Sequence, residues 1–151
     1  MAETLGSLCD KLTIVKLKQW HADSPSRSAS LIAQERWISS EIDAFVKSAM
    51  RDEIPREQLS FAANKIYQRL GNEIASVSGT IGDLFAQLAH INCELWHQQE
   101  KVYEFEKVPP DEKNGVVKQL ALLNLQRNQC IDGIDRNLVE LVNSAGATHR
   151  K

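Results

Sequence analysis

Two stretches 76 residues apart carry one pattern: TLGSLCDKLTIVKLKQWH at 4–21 and TIGDLFAQLAHINCELWH at 80–97. Thr4/Thr80, Gly6/Gly82, Leu8/Leu84, Leu12/Leu88, Trp20/Trp96 and His21/His97 coincide without a gap. Apolar residues recur at helical spacing in both: Leu5, Leu8, Leu12 and Val15 in the first, Ile81, Leu84, Leu88, Ile91 and Leu95, continuing to Val102 and Phe105, in the second. Thr4 and Thr80 stand where N-caps are needed. Asp83 adds the reciprocal carboxylate of a capping box at the second site.

Each repeat is followed by a second amphipathic segment. The first of these, from about 28 to 50, shows Leu31, Ile38, Ile42 and Phe45. It is separated from the opening helix by the turn-like His21-Ala22-Asp23-Ser24-Pro25. The other follows Pro109-Pro110-Asp111, with Pro110 suited to a first helical turn. It shows Val116, Leu120, Leu123, Ile134, Leu138 and Leu141, with a C-cap expected near 143–146. An offset of 92 pairs Leu31 with Leu123, Gln34 with Gln126, Ile42 with Ile134 and Asp43 with Asp135; a register one residue away pairs Arg36 with Arg127. Residues 51–78 have apolar residues but no clean period, and read as a short helix or irregular crossover along one edge. The expected fold is all-α: one domain, an antiparallel four-helix bundle of two duplicated hairpins (about 3–50 and 79–146) joined by the crossover. Two parallel repeats would then bring Trp20-His21 and Trp96-His97 to one end, with the indoles wedged between helices and the imidazoles at the rim.

The chain of 151 residues is 25% charged and 42% hydrophobic with a formal net charge of −2, and it shows no basic stripe for a nucleic acid. No stretch approaches the ~18–20 apolar residues of a membrane span, and the opening MAETLGSLCDKL lacks a basic n-region. Cys9, Cys93 and Cys130 are too few for a disulfide framework. All three lie on or beside apolar faces, and read as buried free thiols of a cytoplasmic protein.

The polar residues of interest are those in core-facing registers. Arg127 interrupts Leu120-Leu123-Ile134, and Glu35 interrupts Leu31-Ile38 at the equivalent site. An unpaired buried charge is costly, so a partner is expected: Glu35 with Arg127 across the bundle, or Arg127 with a carboxylate such as Asp10. For Asp10 itself a solvated helix edge is the plainer expectation. His90, Glu94 and His97 share one face, and Glu94-Leu95-Trp96-His97 has the Glu-x-x-His spacing of di-iron bundles. The repeat places Lys18 where the second glutamate would be, so these three are weak metal candidates and no cofactor is expected. Candidate ligand-binding residues are His21, His97, Trp20, Trp96, Arg127, Glu35 and Asp10; no catalytic residue is identified. Trp37 lies off its helix's stripe, as a contact residue would.

DKLTIVKLKQWH and LLNLQRNQCIDGIDRNL together resemble an uncharacterised bacterial all-helical family. Its motifs read Asp-Arg/Lys-Leu-Ser/Thr-Ile, Lys-Ile-Tyr/Trp-His, Gln-Arg and Ile-Asp, matched here by Asp10, Lys11, Leu12, Thr13, Ile14, Trp20, His21, Gln126, Arg127, Ile134 and Asp135. In that family both motifs fall in one hairpin, whereas here they are divided between two. Its genes lie beside glycosyltransferases of lipopolysaccharide or surface-polysaccharide assembly, so the resemblance implies a cell-envelope glycan setting and no particular activity. The expectation is a non-enzymatic binding or accessory protein that acts through a protein partner or self-association, without nucleic acid. The alternative is a small-molecule or anion-binding enzyme with its site at the Trp–His end.

Overall fold

The computed structural model describes residues 2–62, 64 and 77–148, and the chain is all-α. Four helices pack together: α1 (Leu5–Trp20), α2 (Pro25–Met50), α3 (Ile81–Tyr103) and α4 (Lys113–Thr148). Within the crossover, 63 and 65–76 lie outside the described residues. Of the rest, a single 3-10 turn at Arg56–Gln58 carries Leu59 into the core.

The two repeated helices start in the same way. Thr4 Oγ1 accepts from Ser7 N–H at 3.3 Å while Ser7 Oγ accepts from Thr4 N–H at 2.8 Å. Thr80 Oγ1 accepts from Asp83 N–H at 3.3 Å and Asp83 Oδ2 accepts from Thr80 N–H at 3.0 Å. Two orphan N–H groups are satisfied at each start, a local reason for both helices to begin where the sequence places them. Gly79 turns the chain into α3 at φ 135°, a conformation that would push a Cβ to 2.7 Å from the Asp83 side chain.

Boundaries elsewhere differ from the sequence reading. Pro25 begins α2, because its fixed φ suits the first helical position and its missing N–H is not needed there. Pro110 instead precedes α4 in a turn in which Glu112 N–H donates to the Pro109 carbonyl. The expected C-cap at 143–146 is overridden, and α4 continues through Gly146 to Thr148. Leu141 points outward and Val142 takes the core position, since a 36-residue helix drifts relative to a strict heptad pattern. Cys9 and Cys130 are buried as expected, whereas Cys93 is exposed.

Leu5, Cys9, Leu84, Leu88, Ile91, Leu123, Cys130, Ile134 and Leu138 form one continuous core, closed at one end by Ala49 and Val142. Gly6 meets Ile131 and Asp135 while Asp10 meets Arg127, so α1 and α4 run antiparallel. Leu84 against Gly133, and the Gly79 carbonyl against Asn137, give the same sense for α3 and α4. Asn92 faces Asp10 while Trp96 faces His21, so α1 and α3 run parallel. The fourth helix is less engaged: α2 leans chiefly on α1, and only Leu31 and Ala49 of its 26 residues are buried.

At Gly6, α4 comes so close that an added Cβ would lie 2.3 Å from the Ile131 carbonyl oxygen, a backbone atom that cannot step aside. Gly6→Ala should therefore lower stability by about 1–3 kcal/mol in urea unfolding. Gly115→Ala, where an added Cβ meets nothing within 4 Å, should leave stability unchanged or raise it by less than about 1 kcal/mol.

Candidate functional site

Where α1, α3 and α4 meet, Asp10 stands only 5% exposed, not on a solvated edge. Arg127 grips it with two parallel hydrogen bonds, Nε donating to Oδ1 at 2.7 Å and Nη2 to Oδ2. The Asn92 amide donates to Asp10 Oδ1 at 2.9 Å and to Thr13 Oγ1 at 2.7 Å, and the Thr13 hydroxyl donates to the Asp10 carbonyl at 2.8 Å. The carboxylate charge thus faces one guanidinium and one amide. This geometry also fixes the Asn92 amide, since flipping it would set two acceptors against each other. Among the described residues Asn92 Oδ1 then has no donor, a cost the rest of the network offsets.

One turn further along, Asp135 is 2% exposed and accepts from the Gly6 N–H at 2.7 Å. A carboxylate of α4 thereby satisfies an orphan donor at the start of α1, where the helix dipole favours negative charge. Burial nevertheless pushes Asp135 up to about 6, against the lowering effect of its bonds to Gly6 and Thr4. Cys9, between these carboxylates, is pushed up to about 11, first by burial and then by Asp135 and Asp10. A thiol held so firmly protonated is not a nucleophile.

Of the two expected partners for Arg127, Asp10 is the one the structure provides. Glu35 does not reach it. Its oxygens accept from Lys16 Nζ at 2.9 Å and Gln19 Nε2 at 2.7 Å, with Gln19 and then Lys16 holding its pKa below the ordinary carboxylate range. The α2 register turns Glu35 to the α1 surface, so its pair with Lys16 lies outside while Arg127 of α4 reaches inward to Asp10 of α1. With Nε and Nη2 committed to Asp10, the half-buried Arg127 is paired within the protein.

The Trp–His ends do come together. His21 stacks flat on Trp96, with ring centroids 4.7 Å apart and planes 9° from parallel. His21 and His97 are both exposed, at the rim as expected. Trp20 is not wedged between helices: it is 86% exposed. The helices beside it leave an open groove of about 600 Å³, walled by Leu12, Leu17 and Trp20 of α1, Glu35 of α2, and Phe85, Ala89, Cys93, Trp96 and His97 of α3. Arg127 is not in this groove. It borders a second, more polar cleft of about 600 Å³ with Ser7, Asp10, Lys11, Phe61, Asn64, Asn128 and Asp135. His21, His97 and Arg127 therefore do not surround one pocket.

The three weak metal candidates diverge. His90 Nε2 lies 3.6 Å from Glu94, while His97 Nδ1 turns to Glu100 at 3.4 Å. Among the described residues no three His, Cys, Asp or Glu groups converge to hold a metal ion. No described helix is long and apolar enough to cross a membrane. Asn92 is missing from the sequence reading, and Asp135 enters it only as an aligned and motif position, not as a candidate site residue. Their signal is polarity inside an apolar register, with Asn92 between Leu88 and Leu95 and Asp135 between Ile131 and Leu138. The chain matches no family model, no curated protein and no solved structure.

Removing one member of the Asp10–Arg127 pair strands the other charge. Asp10→Ala and Arg127→Ala should each cost about 3 kcal/mol in denaturant unfolding, with the double variant well short of the sum. Asp135 titrates with the opposite sense to a salt-bridged acid. Between the ordinary 3.8 and about 6 the folded chain keeps a proton that the unfolded chain has released, so its contribution to stability falls as pH rises through that window. Asp135→Asn, which keeps an acceptor for Gly6, should gain on the wild type from pH 4 to 6 and then level off. The gain should be on the order of 2–3 kcal/mol; a pH-independent difference would contradict this account.

Proposed function

We propose that this chain is a non-enzymatic accessory protein, built from two copies of one helical hairpin, that binds a protein partner through the Trp–His groove. The observation that carries this reading is Trp20, an almost fully exposed indole at the lip of an apolar groove. A soluble fold gains nothing from leaving such surface open, and aromatic side chains beside apolar hollows are the anchors of protein–protein contacts. Trp37, 70% exposed on α2, adds to the uncovered aromatic surface. The charged groups around the groove are already engaged, Glu35 with Lys16 and Gln19, and His97 with Glu100. That favours recognition over proton transfer. Duplication is supported by the matching Thr4 and Thr80 capping boxes at one offset.

The surface-polysaccharide setting rests on the resemblance. The resemblance itself is supported by the meeting of motif residues Asp10 and Thr13 on α1 with Arg127 on α4, while Asp135 bonds separately to Gly6. A second reading, an anion or small molecule held at the same end, draws on Lys16, His21 and His97 lining one groove. Native mass spectrometry of untagged protein purified without chelator separates the two. The binding-protein reading expects the bare chain mass or its multiples, together with a polypeptide adduct from a photo-crosslinker at position 89 that Trp20→Glu abolishes. A retained small-molecule mass, lost in the His21→Gln/His97→Gln variant, would overturn it.

A further inference from the structure

The groove at the Trp–His end has the length and polarity of a seat for one more helix. Its floor is α1 from Leu12 to Trp20, one wall is α3 from Phe85 to His97, and Glu35 of α2 stands on the other side. Helices α2 and α3 both pack on α1 but scarcely on each other, so the gap between them stays open along α1. At about 1.5 Å per residue, the stretch from Phe85 to His97 makes this gap about 18 Å long, room for about three turns of helix. The lining is nearly all apolar. Its two full charges of opposite sign, Lys16 and Glu35, are joined at 2.9 Å, and the Thr13 hydroxyl already donates to the Asp10 carbonyl. The described elements are all helical, so an extended segment would find no strand edge among them to pair with.

We infer that the protein partner enters this groove as an amphipathic α-helix, antiparallel to α1 and α3, with large uncharged side chains on its buried stripe and a basic last turn. This rests on the groove being the partner site. The apolar stripe follows from the lining, which offers no free charge for a polar guest face to meet, and from Trp20 at the lip, which would fold against one edge of the guest. Charge sets the direction. Helix α1 ends at Trp20, so the Trp–His end carries the partial negative charge of a helix C-terminus, and a guest running the other way brings its positive N-terminal turn there. At the opposite end Asp83 is exposed two residues before Phe85, and hydrogen bonds from the Thr80 backbone and hydroxyl hold its carboxyl below the ordinary carboxylate range. An ionised acid at that end favours Lys or Arg in the guest's last turn, where the guest's own dipole favours them as well. Helix α4 already packs on the same two helices in this antiparallel sense.

Peptide phage display against the full chain in reducing buffer, followed by anisotropy titration of the selected synthetic peptides, tests this. The peptides should share large apolar residues three or four positions apart, with Lys or Arg near the C-terminus, and should gain helical circular dichroism on binding. Trp20→Glu, at an exposed position that leaves the fold intact, should weaken them at least about tenfold. Bound peptide should also slow alkylation of Cys93, which lines the groove and is exposed while Cys9 and Cys130 are buried. A photo-crosslinker at the peptide N-terminus should attach near Trp20, and one at its C-terminus near Phe85. Peptides that need Trp20 yet carry alternating or proline-rich patterns, or stay non-helical when bound, overturn the helical guest and leave the groove as the partner site. Crosslinks in the reverse order overturn its direction. Peptides indifferent to Trp20→Glu, or a selection that yields none, overturn the reading of the groove itself and this inference with it.

Discussion

The packing of this protein turns on one ion pair, a buried Asp10 held by a half-buried Arg127. Asp10 and Arg127 are 117 residues apart in sequence, yet their two parallel hydrogen bonds fix how far α4 can slide along α1. Slipping α4 by one turn would leave a carboxylate and a guanidinium without partners in a place from which water is largely excluded, at a cost of several kcal/mol. Asn92 adds α3 to the same point, so three helices share one polar anchor beside the apolar core. Apolar side chains alone fill space without choosing among registers. A paired charge chooses.

The close approach at Gly6 and the buried Asp135 follow from that register. Once Arg127 is opposite Asp10, the next turns of α4 bring Ile131 against Gly6 and Asp135 against its N–H. The carboxylate does useful work there as an acceptor but is not comfortable as a charge, which is why burial outweighs its hydrogen bonds and raises its pKa. Stability and specificity are therefore opposed at this site. The Asp135 contact specifies where α1 begins relative to α4, and its desolvation takes back part of what the contact contributes.

The matching sequences of α1 and α3 do not have equivalent environments. Helix α1 lies between α2 and α4, whereas α3 is covered by α4 and α1 but not by α2. The ion pair that anchors the first face has no counterpart on the second, where Asp10 becomes Ala86 and Arg127 becomes Glu35. With no charge to neutralise, nothing inside the chain compels a helix to sit on that face, and an apolar groove and small-residue surface remain open.

Local rules were enough to read the helices from sequence. Apolar spacing gave four of them, and Thr4, Thr80 and Asp83 act through bonds within a few residues, whereas the part Pro25 plays in starting α2 was read as a turn. Adding the cost of an unpaired buried charge was enough to require a partner for Arg127 and to name Asp10 as one choice. Which partner it takes was decided by tertiary structure. Glu35 and Asp10 are both acids on apolar-periodic helices, and only the packing angle of α2 turns one outward to Lys16 and leaves the other inside. The same holds for Trp20 and Trp96, identical in the repeat, of which one is bare and the other stacked on His21. Sequence determines what each segment can form and which groups must be satisfied, because those are local and energetic constraints. Which of two equivalent faces is covered is a property of the whole arrangement, since a helix can be in only one place.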